Sequence, residues 1–161
     1  MADAARLIDS LAHPGGNITG ISDNAAVLAS KRLALIKQAV PSAQRVAMLW
    51  NRNDLGMSTR YDASADAARS LGLAVQALGL REPDDFRGVF EAMDRDRPDA
   101  IFMVADALTT LNPKRVFDYA GAHHLPALYE YDLPNVRDGG LMSYGPDLNE
   151  SIERAADLTA R

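Results

Sequence analysis

From Arg45 onward, short apolar runs, interrupted only by Gln76, alternate with segments of helical period, and few architectures accommodate that pattern. The runs cover residues 46–50, 74–78, 100–104 and 127–129, each too short for a helix of ordinary length. A run without polar alternation has no face to give to water. It reads as a strand buried on both sides, as in a parallel sheet with covering helices. The pattern predicts four parallel strands in one α/β unit.

The intervening segments carry the helices. Phe86, Val89, Phe90 and Met93 fall at i, i+3, i+4 and i+7 and share one helix face. Asn112-Pro113 opens another helix with an N-cap and a first-turn proline, and Val116, Phe117 and Ala120 form its inner stripe before Leu125-Pro126 ends it. Residues 57–70 place Tyr61, Ala65, Ala68 and Leu71 at helical spacing, with Gly72 as the breaker. Residues 25–40 predict a long helix with Leu28, Leu35, Ile36 and Ala39 inward. Leu148, Ile152, Ala155 and Ala156 define a last helix. These two should cover the sheet or an absent neighbour.

Composition narrows the function classes. A chain of 161 residues with 47% hydrophobic and 24% charged residues is an ordinary globular domain. The net charge of −5 comes with no basic stripe, so nucleic acid is not an expected partner. The longest apolar run, 100–105, is far short of the ~20 residues that span a bilayer. Without cysteine there is neither a disulfide framework nor a thiolate nucleophile. The first residues place Asp3 early, with no basic leader and no sustained apolar stretch, so they do not read as a signal peptide.

No motif points to catalysis or to a cofactor. Gly15-Gly16 and Gly139-Gly140 lack the spacing of a phosphate cradle, and there is no GxSxG elbow. His13 stands beside a turn and His123-His124 at a helix end, a poor set for a metal. The polar residues that remain lie where open α/β sheets bind ligands, beyond the carboxyl ends of the strands. Asn51 and Asn53 follow the first strand, Asp106, Thr109 and Thr110 the third, and Tyr129 and Glu130 the fourth. On position alone a second reading stands beside this one: Asp106 and Asn112 cap turns, and Tyr129 is a core aromatic.

The segments 11–20 (LAHPGGNITG), 31–41 (KRLALIKQAVP), 45–51 (RVAMLWN) and 139–148 (GGLMSYGPDL) resemble, in order, the ABC-transporter substrate-binding family that includes tryptophan- and tyrosine-binding proteins. The resemblance implies a flavodoxin-like, periplasmic binding protein type I-like three-layer sandwich. Two such lobes are joined by a hinge and hold a solute between them. It implies that residues 1–16 are the end of a first lobe and the hinge approach, 17–146 the second lobe, and 147–161 a return helix. Residues 15–21 would be a crossing strand, and 143–147 would begin the return crossing.

Carried onto this sequence, the family's cleft positions fall on Asn51, Asn53, Asp106, Leu108, Thr109, Glu130, Ser143 and Tyr144. An α-amino acid would need a carboxylate for its ammonium, from Asp106 or Glu130, and amides for its own carboxylate. The implied role is non-enzymatic. It is solute binding for an ABC-type importer, in the periplasm, with a permease and an ATPase as partners. A lone lobe leaves its cleft face open, so weak ligand binding or a homodimer through that face is expected. The competing reading is a stand-alone flavodoxin-like interaction module, or a small enzyme using strand-end acids.

Overall fold

A computed structural model describes residues 8–10, 13, 15–18, 20–22, 24–131 and 139–159. Its centre is β1 (Arg45–Asn51), whose Val46, Ala47, Met48 and Leu49 are wholly buried. β2 (Ala74–Leu80) pairs with it on one side and β3 (Ala100–Met103) on the other, followed outward by β4 (Ala127–Tyr129) and β5 (Met142–Ser143). The sheet is five-stranded, in the order β2-β1-β3-β4-β5, and every pairing is parallel. This is the flavodoxin-like order, which reverses direction between β1 and β3.

The period of two along each strand divides the core. Ala47 and Leu49 join Ile101, Met103 and Tyr129 beneath α3 (Asp85–Arg95) and α5 (Pro113–Ala122). Val46 and Met48 join Ala100, Phe102 and Leu128 beneath α1 (Ala25–Ala39) and α2 (Leu55–Ser70). The register aligns these sets, Val46 opposite Ala100 and Met48 opposite Phe102. Phe86, Val89 and Met93 of α3 and Val116, Phe117 and Ala120 of α5 are buried as the helical spacing predicts.

Several expectations need correction. The fifth strand, β5, has only two residues, both half-buried, and so left no apolar run to read. β2 is an edge strand with Ala74 and Ala77 exposed, so it is not buried on both faces. The inward stripe of α1 is Ala25, Ala29, Leu33 and Ile36 together with Arg32, whereas Leu28 and Leu35 are half-buried and Ala39 is exposed. Asn112 makes no capping bond; its Nδ2 donates to the carbonyl of Leu108 at 2.9 Å. No strand forms at the described residues of 15–21, and Leu11, Ala12, Pro14 and Thr19 lie outside the described residues.

Gly72 does adopt a left-handed φ of 72°, which ends α2 at low cost. The last helix, α6 (Leu148–Thr159), does not bury its apolar stripe: Leu148, Ile152 and Leu158 are all exposed. Among the described residues no helix is long and apolar enough to cross a membrane.

Candidate functional site

The carboxyl ends of parallel strands collect loops and helix N-termini, and the crevice lies where strand order reverses, here between β1 and β3. After β1, Asn51 Oδ1 accepts the amide of Asn53 at 3.0 Å and Asp54 Oδ1 accepts that of Met57 at 3.0 Å, which caps α2. These two side chains hold the loop in shape. Arg52, Asn53 and Leu55 face solvent from it, Leu55 at 85% exposure.

After β3, Asp106 caps the one-turn helix α4 (Ala107–Thr110) through a reciprocal box. Its Oδ1 accepts the Thr109 amide at 2.9 Å, and Thr109 Oγ1 accepts the Asp106 amide at 2.9 Å. Thr109 is wholly buried and donates to the carbonyl of Val104 at 2.9 Å, so it is not the surface group expected of it. Leu108 is half-buried against the α3 side of the core, and Thr110 and Leu111 are exposed.

Glu130 directly follows β4 and is wholly buried, so here it does not present its carboxylate to the surface. Its Oε1 accepts Arg32 Nη1 at 2.9 Å. Its Oε2 accepts the amide of Ala105 at 3.1 Å and Arg60 Nη1 at 3.3 Å. Arg60 Nη1 also donates to the Tyr131 hydroxyl at 3.3 Å. Burial pushes the Glu130 carboxyl above its ordinary value, while Arg32, the Ala105 amide and Arg60 pull against that shift.

Arg32 is the residue of this edge that sequence reading missed. Its Nε donates to the carbonyl of Tyr144 at 2.8 Å, Nη1 to that of Ala25 at 3.0 Å and Nη2 to that of Glu130 at 3.5 Å. A signal was present: an arginine on the inward stripe of α1 requires a buried acid, and Glu130 stands at a strand end.

Tyr144 continues the pairing one step past β5, its amide donating to the carbonyl of Tyr129 at 3.0 Å. Ser143 is half-buried within β5. At Gly145 a Cβ would come within 1.7 Å of the Glu130 carbonyl oxygen, so only glycine allows the chain to press onto the end of β4 there. Tyr129 lies in the core, its ring edge-on to Phe117 at 5.0 Å, and burial drives its phenol pKa up. Asn51, Asn53, Asp106, Leu108, Glu130 and Tyr144 thus share one edge, with Glu130 beneath the surface and Thr109 turned inward. At the same end of β1 the single tryptophan, Trp50, stacks on Tyr61 with centroids 3.7 Å apart.

A family model described as ABC transporter substrate binding protein matches residues 3–161. The Tyrosine-binding protein of Clostridioides difficile (strain R20291) is 23% identical over 154 residues, 96% of this chain and 44% of that protein. A solved ABC domain in complex with L-Trp from Streptococcus pneumoniae has a TM-score of 0.86 at 22% identity, covering 100% of this chain and 55% of that one. A conserved domain protein from Vibrio cholerae O1 biovar El Tor has a TM-score of 0.83 at 18% identity, covering 99% and 53%. The chain spans about half the length of the proteins it matches.

Proposed function

Because the chain belongs to the ABC transporter substrate binding protein family, we propose that it serves as one lobe of a two-lobed solute-binding protein and supplies one wall of the cleft. One observation carries the reading. Ala25 opens α1 and Tyr144 follows β5, close to the two expected crossings, and the carbonyls of both accept from the same Arg32 guanidinium. Two crossings to a second lobe would need to run side by side at the ligand edge of the sheet, and that clasp brings them together there.

The exposed stripe of α6, Leu148, Ile152 and Leu158, is the surface on which the other lobe would pack. The wider role that goes with this reading is solute import, the full-length protein acting in the periplasm and delivering solute to a membrane permease and its ATPase. Catalysis finds no support at this edge, because a small enzyme would draw on Glu130 and Asp106. The first is wholly buried and held by two arginines, so the two cannot work as an acid/base pair.

An aromatic α-amino acid is the solute class to test first. The Clostridioides relative is named for tyrosine, and the Streptococcus domain is in complex with L-Trp. Asp106, half-buried after β3, is the carboxylate we assign to the ammonium, with Asn51, Asn53, Leu108 and Tyr144 as further contacts from the same carboxyl edge. A lone lobe offers half the contacts and should bind in the weak range. Calorimetric titration with L-tyrosine is expected to show affinity falling about tenfold in Asp106→Ala, the loss of one charge-assisted hydrogen bond. Unchanged affinity would remove Asp106 from the site.

A further inference from the structure

The last sheet bond on β3 is the amide of Val104 to the carbonyl of Leu49, at 2.9 Å. One residue later the sheet offers Ala105 no carbonyl, and its amide goes to Glu130 Oε2 instead. The direction in which the chain leaves β3 toward Asp106 is therefore set by the Glu130 carboxylate. That carboxylate is held in turn from its other oxygen by Arg32, which is itself wholly buried and grips the carbonyls of Ala25 and Tyr144.

We infer that Arg32 is the positioning residue of this edge: acting through Glu130, it ties the β3 loop to both chain exits, so that the three hold one arrangement. Arg32 does not touch the loop. Its influence passes along Arg32 Nη1, Glu130 Oε1, Glu130 Oε2 and the Ala105 amide, all buried, where each link is little screened. Gly145 adds to the constraint, because the exit is pressed against the Glu130 carbonyl with no space for a side chain. A shift of either exit is carried to the rim where Asp106 sits, which is what a binding lobe needs if closure is to be felt at the ligand. The inference rests on the cleft reading only for what the loop contacts; the coupling itself rests on these bonds.

Amide hydrogen exchange on the 161-residue chain tests it, with Val104 as the internal reference. In Arg32→Met both amides should exchange faster, because losing a buried cation lowers global stability, but Ala105 is expected to accelerate about tenfold more than Val104, the excess being local opening. Equal acceleration at Ala105 and Val104, or none at Ala105, would overturn the inference. Arg32→Lys keeps a cation for Glu130 but lacks the fork that also reaches Ala25 and Tyr144. It should restore protection at Ala105 and leave the Tyr144 amide faster than in the wild type. If Arg32→Met does not fold, the lysine variant decides alone: acceleration confined to Tyr144 supports the clasp, and uniform exchange at all three amides overturns it. A parallel titration with L-tyrosine separates the two claims, because absent binding to the wild type counts against the solute reading and leaves the exchange result standing.

Discussion

The two ends of the sheet solve the same problem with carboxylates in opposite environments. At the amino end, Asp99 Oδ2 accepts the amides of Gln44 at 2.8 Å and Arg45 at 2.9 Å, and the carboxylate stays exposed. Those two amides hold its carboxyl below the usual range. At the carboxyl end, Glu130 likewise anchors a loop amide but does so wholly buried, between Arg32 and Arg60, and its carboxyl is raised. The amino end uses water as part of its solution. The carboxyl end places charge inside and leaves Leu55 and Leu111, at 85% and 81% exposure, outside. An exposed carboxylate can lose a partner cheaply, whereas a buried one cannot, because desolvation has already been spent on it. The end proposed to bind is therefore the end where single changes should propagate.

The largest effect should come from Glu130→Ala, which leaves a buried arginine without its anion and is expected to cost about 3–5 kcal/mol in chemical denaturation. A loss as small as that of an exposed carboxylate would erase the contrast between the two ends. Asp99→Asn should cost about 0.5–1 kcal/mol at neutral pH, since its bonds face solvent. The acid limbs should also part. Asp99 is depressed, so its contribution is complete above the unfolded carboxyl value, near 3.9, and is lost as pH falls below that through the folded value. Glu130 is raised, so the folded state holds its proton more firmly. In the window between the unfolded and folded values its effect runs the other way, with stability falling as pH rises. Denaturation of Asp99→Asn and Glu130→Gln between pH 3 and 7, on the order of the window in which carboxyls titrate, would show limbs displaced in opposite senses. The smallest effect belongs to α6: Ile152→Ser should change stability by less than about 0.5 kcal/mol and reduce any self-association seen by light scattering.

The four longer strands and the inner faces of α3 and α5 were legible because hydrophobic period is a local property of the chain. So was the carboxyl edge on which the polar residues gather, since a loop that follows a strand in sequence also lies at its end in space. β5 was not legible, because two half-buried residues make no pattern. The α1 stripe was misread by following leucines when alanines and an arginine face inward. Tyr129 matched the second reading as a core aromatic, and Asp106 caps α4 through Oδ1, a role that the ligand contact proposed for it would share.

The order of elements, their faces and the edge at which polar residues gather follow from this sequence by itself. Only the tertiary structure decided what those polar residues meet. Glu130 pairs with an arginine 98 residues earlier and another 70 residues earlier, and the carbonyl of Tyr144 is held from 112 residues away. Parallel crossovers bring such groups together through space, and charge pairing in a dry interior depends on distance and burial, neither of which is written in the spacing along the chain.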